Sequence, residues 1–275
     1  MNEKSTLQTA GHTTEGWDTG SHQDFYEYYE QQSRSPKALD GFRSTCDTLL
    51  RLFELAGDAR KLDVLDIGCG AGAQSKFWLE RGHRYRGVDI SEPLIQLARD
   101  RANQQNLDSR FDVGTATDLP CADSSMDICL LPELLEHVSD WKSCVEEAIR
   151  VLRPKGLIYI NTSSKLCPRQ EEFNLPLYSW YPGRLKRYFE RRAVTDWPSV
   201  ANFAKYPAVN WFSYYSLRDY LEPKGFSCMD RLDIIDARKK SSSARTVLSA
   251  VRALAPLRFL GHVITPYTLV VAWKH

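Results

Sequence analysis

The sequence predicts an α/β fold: a seven-stranded, mostly parallel sheet with helices on both faces. Three observations carry this. Seven short apolar runs, at 64–67, 87–89, 111–113, 126–131, 157–160, 226–235 and 267–273, alternate over much of the chain with segments of helical spacing. One of them, Leu157-Ile158-Tyr159-Ile160, shows no polar alternation, as expected of a strand buried on both faces. The first, Val64-Leu65-Asp66-Ile67, enters a turn with glycines at 68, 70 and 72. A helix-like segment over 73–81 follows it, then a second run closed by an acid, Gly87-Val88-Asp89.

Residues 1 to about 22 are rich in Thr, Gly, Gln and Glu, which predicts a disordered stretch or a loose lid. From residue 23 to 55 apolar side chains recur at helical spacing: Phe25, Tyr28 and Tyr29, then Phe42, Leu49, Leu50 and Phe53. Pro36 divides this stretch into two helices. After Asp89, Ser91 stands where a helix cap belongs and Pro93 falls in the first turn, with Leu94, Leu97 and Ala98 as the apolar face. Another helix is predicted over 141–152, ended by Arg153-Pro154-Lys155-Gly156. The pattern then breaks. Residues 166–216 are dense in aromatics and punctuated by prolines, which predicts an inserted cap over the sheet edge. Residues 236–266 form a second, basic and amphipathic insertion before the last strand. The expected organisation is one domain over 23–275 carrying these two insertions.

With 43% hydrophobic and 26% charged residues, the 275-residue chain has the balance of a soluble globular protein. A net charge of +1 gives no global electrostatic case for nucleic acid. Seven scattered cysteines with no C-x-x-C pair read as reduced thiols. The first residues lack a signal peptide's apolar core, and no apolar run reaches the roughly 18–20 residues that cross a bilayer. The expected location is cytoplasmic.

Strand, glycine turn, helix, and strand with a terminal acid is the plan of a site for an adenosine-containing cofactor. Gly68-Cys69-Gly70-Ala71-Gly72-Ala73 also satisfies the loose dinucleotide pattern, so an NAD(P)-dependent oxidoreductase stays open on the glycines alone. Asp66 bears on the choice. A carboxylate just before the turn repels a pyrophosphate but suits a ligand with a cationic amino group and a sulfonium, which S-adenosylmethionine supplies. Asp89 is placed to accept from a ribose diol, and Ile90 to pack on the adenine face.

The strings V-L-D-I-G-C-G-A-G, G-V-D-I-S, T-D-L-P, L-L-E-H-V and L-R-P-K-G, in this order over residues 62 to 160, resemble the class I S-adenosylmethionine-dependent methyltransferases. Within that Rossmann-like superfamily the chain is most similar to the small-molecule group that includes the methyltransferases of ubiquinone biosynthesis. The resemblance implies that Gly68, Gly70 and the region of Asp66 contact the methionyl part and that Asp89 contacts the ribose. Cys69 and Gly72 of the same turn complete the expected set. Such proteins often read G-D-A before the L-P turn. Here the segment is Gly114-Thr115-Ala116-Thr117-Asp118-Leu119-Pro120, so the adenine contact falls to Thr115, to the backbone at Ala116, or to Asp118.

Glu133-Leu134-Leu135-Glu136-His137 follows the fourth strand, at the edge where open α/β sheets keep their ligands. If helical, positions 133, 136 and 137 share a face. His137, with Glu136 in the catalytic set, is then a candidate general base for an acceptor hydroxyl. The weaker alternative is that the carboxylates and imidazole hold a divalent cation. The E-x-x-E-H string resembles the metal-binding segment of ubiquinone O-methyltransferases and of small-RNA 2'-O-methyltransferases. The RNA enzymes add a downstream histidine, and no histidine lies between 138 and 261 here. Because E-H-V is also frequent in relatives that need no metal, a structural histidine stays open too.

The acceptor is left to the insertions. In the second, Val247, Leu248, Val251 and Leu254 line one helical face and Arg245, Ser249 and Arg252 another. Pro256 stops that helix, and Leu257, Phe259, Leu260, Val263 and Ile264 extend the apolar surface. From Ala237 to His275 there are seven basic residues (Arg238, Lys239, Lys240, Arg245, Arg252, Arg258, Lys274) and no acid. A basic amphipathic helix fits an anionic membrane surface, with Arg184, Lys186, Arg187, Arg191 and Arg192 of the first insertion expected on the same side. The expected function is O-methylation of a small or lipid-linked hydroxylated acceptor (a quinone precursor, glycan or polyketide-like compound), in a protein peripheral on the inner face of a membrane. The rivals are the oxidoreductase and a non-catalytic S-adenosylmethionine-binding module at a membrane surface.

Overall fold

A computed structural model of the chain describes residues 33–202 and 207–275. The expected N-terminal lid, the first predicted helix with Phe25, Tyr28 and Tyr29, and the cap aromatics Phe203 and Tyr206 lie outside the described residues. In chain order the elements are α1 (Pro36–Leu55), β1 (Asp63–Ile67), α2 (Ser75–Leu79), β2 (Arg84–Asp89), α3 (Glu92–Gln104), β3 (Ser109–Val113), β4 (Met126–Pro132), α4 (Trp141–Val151), β5 (Leu152–Ser163), α5 (Gly183–Val194), α6 (Tyr214–Leu221), β6 (Phe226–Asp230), α7 (Ser242–Ala253), α8 (Ala255–Val263) and β7 (Tyr267–Lys274).

All seven predicted strands form one sheet in the order β3-β2-β1-β4-β5-β7-β6. Strands β1 to β5 run parallel, and β7 is antiparallel to both β5 and β6. Successive side chains along each strand point to opposite faces, which splits the core into two layers. Leu65, Ile67, Cys129, Leu131, Ile158 and Ile160 pack against α4 and α6. Val64, Ile128, Leu130, Leu157 and Tyr159 pack against α1, α2 and α3. The chain order reverses between β1 and β4, so a crevice opens at the carboxyl ends of these strands.

Both insertions leave from that same edge. The cap follows Ser163 at the end of β5, and residues 231–266 run from the end of β6 to Tyr267, which lies opposite Ser163 in the ladder. The cap has a small core of its own around Phe173, Tyr178, Ala193, Val200 and Ala201, with Phe173 and Tyr178 stacked at 3.9 Å. Phe212 and Tyr214, which the sequence assigned to the cap, belong to the main core instead.

The sixth strand also differs from expectation. It stops at Asp230, not Ile235, because the Asp230 carboxylate accepts from the backbone N–H groups of Leu232 (2.7 Å) and Asp233 (3.1 Å) and curls the chain. Pro256 does end α7, and it also occupies the first turn of α8, a helix over residues that the sequence gives only as an extension of the apolar surface.

Candidate active site

At the end of β1, Asp66 is buried, 1% exposed. Its Oδ2 accepts from Gln74 Nε2 at 2.7 Å and from the Tyr85 hydroxyl. Burial pushes its carboxyl up to about 7, against the opposing pull of those two donors. Its second oxygen, Oδ1, is buried with no hydrogen-bond partner among the described residues. A buried carboxylate oxygen in that state is a site for a donor that the protein does not itself supply. Gln74 and Tyr85, which hold Asp66, carry no motif signal.

The turn that follows is left-handed at all three glycines, with φ of +76° at Gly68, +50° at Gly70 and +67° at Gly72. Gly72 is fixed by packing as well: a Cβ there would sit 2.6 Å from two ring atoms of Phe111. A Cβ on Gly68 would sit 3.0 Å from Leu134 Cδ1, so the Glu133–His137 segment abuts the glycine turn. Cys69 lies between, its thiol pushed up by burial and by the neighbouring Asp66 and Asp89 carboxylates. At the end of β2, Asp89 accepts from the backbone N–H groups of Gly70 at 2.8 Å and Ser91 at 2.9 Å. Burial raises its carboxyl, partly offset by those amides. Ile90 beside it is 49% exposed, a large aliphatic side chain left at the rim.

After β3 a tight turn pairs Thr115 with Asp118, and the Thr115 and Thr117 hydroxyls meet at 2.9 Å. Leu119 is anchored below it through its N–H to Glu147 Oε2 at 2.8 Å. Thr115 and Asp118 are exposed and Ala116 is half-buried, all one turn beyond the strand carrying Val113.

The Glu133–His137 segment is a turn, not a helix. Its carbonyls are claimed from outside: Glu136 by the N–H groups of Val209 and Asn210, Leu135 and Val138 by the Asn210 amide. The helical face expected for 133, 136 and 137 therefore does not form. Glu133 has φ +50°, a strained backbone for a non-glycine residue at a sheet edge, held by its N–H to the Asn161 carbonyl at 2.7 Å. Glu136 is 2% exposed and turns inward to accept from the Thr162 hydroxyl at 2.7 Å. Burial pushes its carboxyl up to about 8. His137 follows it in the turn, half-buried. Glu172, from the cap, is raised to about 7 by burial and by Glu133 and Glu171, which shows how closely cap and edge approach. Asn161 and Glu172 were not singled out from sequence, since neither belongs to a spaced motif. Among the described residues no group of three or more His, Cys, Asp or Glu side chains is gathered as metal ligands would be.

Beside the end of β5, a cavity of about 530 Å³ is lined by Lys165, Trp180, Tyr181, Lys186 and Trp211 among others. Lys186 is 9% exposed, its ammonium 4.2 Å from the Trp211 ring centroid, and burial lowers it to about 8. It is therefore part of the cap interior and not of a basic outer face.

Comparison with known proteins agrees with this geometry. Residues 65–160 match the family model described as a methyltransferase domain. The chain is 32% identical over 167 residues to a demethylmenaquinone methyltransferase of Tropheryma whipplei, covering 60% of this chain and 66% of that one. It is 36% identical over 114 residues to the erythromycin 3''-O-methyltransferase of Saccharopolyspora erythraea, covering 40% and 37%. The chain spans between about a third and two thirds of the length of the curated relatives it matches. In fold it is similar to the plantazolicin methyltransferase BpumL, solved in complex with SAH, with a TM-score of 0.59 at 15% identity over 94% of this chain and 92% of that one. Residues 65–160, which carry the glycine turn between a buried aspartate and a strand-end aspartate, are thus a methyltransferase domain of the class I S-adenosylmethionine-dependent kind, on a fold shared with a solved methyltransferase.

Proposed function

We propose that this chain methylates a hydroxyl oxygen of a small acceptor held between the carboxyl edge of the sheet and the cap of residues 166–216. The observation that carries the reading is the buried, unpartnered Oδ1 of Asp66 beside a left-handed glycine turn tied to Asp89. In this reading Asp66 faces the amino group of S-adenosylmethionine, and Gly68, Cys69, Gly70 and Gly72 let the backbone approach its methionyl part. Asp89 takes the ribose diol, Ile90 covers the adenine, and Thr115, Ala116 and Asp118 border its amino edge.

When bound, S-adenosylmethionine supplies a methyl group already activated by its sulfonium. The protein's work is then positioning and exclusion of water. His137 would take the proton of the acceptor hydroxyl as that oxygen is methylated. Glu136, braced on Thr162, positions the turn that carries His137. The cavity at Trp180, Trp211 and Lys186 suits a planar or sugar-like acceptor, with the Lys186 ammonium facing an oxygen that gains negative charge. A relative whose name states O-methylation supports the choice of oxygen.

The finer reading is an acceptor attached to a lipid and met at a membrane. The test is to compare metabolites and lipids from cells with and without the gene. A compound heavier by one methylene when the gene is present, reproduced by the purified protein with labelled S-adenosylmethionine, is the expected result. Bound cofactor with no labelled product across quinol, glycan and polyketide panels would favour a non-catalytic module.

A further inference from the structure

Helix α8 is turned inside out relative to an ordinary surface helix. Its two polar side chains, Arg258 and His262, stand at i and i+4 and both point inward to Asp230, which is fully buried. Arg258 Nε lies 2.7 Å and His262 Nε2 2.9 Å from Asp230 Oδ2, and Arg258 also pairs with Asp233. The His262 ring stacks on Tyr214 at 5.4 Å. What is left facing outward is apolar: Leu257 40% exposed, Phe259 48%, Leu260 53% and Ile264 71%. Val247 of α7, at 63%, and Leu254 between the two helices, at 53%, add to them, while Leu248 alone of the apolar face expected for α7 is buried. Large apolar side chains clustered this way on a soluble protein mark a contact surface.

The cations divide in a way that says what the contact is. Three of the seven basic residues beyond Asp236 are spent inside. Arg252 donates to the carbonyls of Leu232, Asp233 and Ile235, Arg258 serves Asp230, and Lys274 donates to the carbonyls of Ile149 and Leu152. Lys239, Lys240 and Arg245 remain exposed at the start of the hairpin with no acid after Asp236 in the chain, while Arg238, also exposed, pairs with Asp236 at 3.1 Å. The expected basic helical face is therefore wrong in detail, since Arg252 and Arg258 dock the hairpin while its apolar side meets solvent. The cap cations expected to join it do not all do so either: Lys186 is buried, and Arg192 pairs with Asp196 and Tyr188.

We infer that the outer face of the α7–α8 hairpin is a docking surface for an anionic lipid bilayer, with Leu257, Leu260 and Ile264 entering the acyl boundary and Lys239, Lys240 and Arg245 meeting the headgroups. The hairpin rises from the same sheet edge as the cap, and Arg231, next to Asp230, donates to Thr265 at the base of β7. Docking there brings the acceptor cavity to the membrane surface. This deepens the proposal of a lipid-attached acceptor and rests on it for its purpose, though the binding itself is tested separately.

The experiment is flotation of the full chain with vesicles of phosphatidylcholine alone and of phosphatidylcholine mixed with phosphatidylglycerol, at low and high salt. The same protein is checked by thermal melting, by sedimentation velocity and by calorimetry with S-adenosylmethionine. The wild type floats with the anionic vesicles at low salt, and the double variant Leu260→Glu/Ile264→Glu stays below with about a tenfold or greater loss of binding. That variant keeps its melting temperature and its S-adenosylmethionine affinity, because both side chains are already exposed. Failure of the wild type to float, or equal flotation of wild type and variant, overturns the inference. So does a wild-type dimer that ignores vesicles and that the variant dissolves, since the face would then be a contact between copies. Loss of S-adenosylmethionine binding in the wild type would instead sink the methyltransferase reading and leave this one standing.

Discussion

The backbone N–H of Gly70 donates to Asp89 Oδ2 at 2.8 Å, so the glycine turn after β1 and the acid at the end of β2 form one unit. The other Asp89 oxygen accepts from Ser91 N–H, at the entrance to α3. One carboxylate thus fixes both loops that border the cofactor crevice, and it does so from a position nineteen residues downstream of the turn.

Replacing Asp89 with Ala removes the turn's anchor together with the acceptor for the ribose diol. A hydrogen bond to a charged group contributes roughly 1.5–3 kcal/mol, so S-adenosylmethionine affinity should fall by about 10- to 100-fold in a calorimetric titration. Unchanged affinity would remove Asp89 from the site.

The buried carboxyls give the ligand-free protein a definite pH dependence. Asp66 has its folded value raised from 3.8 to about 7, and Glu136 has its own raised from 4.5 to about 8, both by burial. Across pH 5–8 the folded state holds protons that the unfolded chain has released, so stability falls as pH rises. The melting temperature should decline over that window, and Asp66→Asn should flatten part of the decline. Cofactor affinity should move the other way, rising toward pH 8 as Asp66 ionises to face a cationic amino group. A melting temperature that climbs steadily from pH 5 to 8 would contradict the assignment.

For the Glu133–His137 turn the two neighbours should separate. His137→Ala is expected to leave cofactor binding intact and lower turnover by about 10²- to 10⁴-fold. Glu136→Gln retains an acceptor for the Thr162 hydroxyl and should cost far less turnover. Full activity in His137→Ala would return that histidine to a structural role.

Much of this was legible in the sequence, because the strands are local and their burial shows directly as apolar runs. Asp66, the three glycines and Asp89 are close enough along the chain to be read as one motif. What escaped depended on partners distant in sequence. Arg258 reads as a surface cation until Asp230, about thirty residues earlier, is seen buried beneath it and shared with His262. The E-x-x-E-H string reads as a helix until Asn210 is seen taking its carbonyls from more than seventy residues away. Lys186 reads as part of a basic patch until its ammonium is found over the rings of Trp211 and Tyr178.

The Asp230 network supplies a stability test. Arg258→Ala leaves a fully buried carboxylate that has lost its guanidinium, a change that typically costs about 3–5 kcal/mol. Hydrogen exchange should speed up over 255–263 before it does so in β1 or β4, because Arg258 is one of the two α8 side chains, with His262, that tie the helix to Asp230. Unaltered protection of α8 would show that its few buried apolar contacts suffice.

The most direct test of the central claim is a pair of calorimetric titrations of the full chain, one with S-adenosylmethionine and one with NAD. Saturable binding of S-adenosylmethionine at one site per chain, weakened in Asp66→Ala and Asp89→Ala, with no heat from NAD, is the predicted result. Binding of NAD in place of S-adenosylmethionine would contradict the account, since it would mean that the Asp66 carboxylate tolerates a pyrophosphate beside the glycine turn.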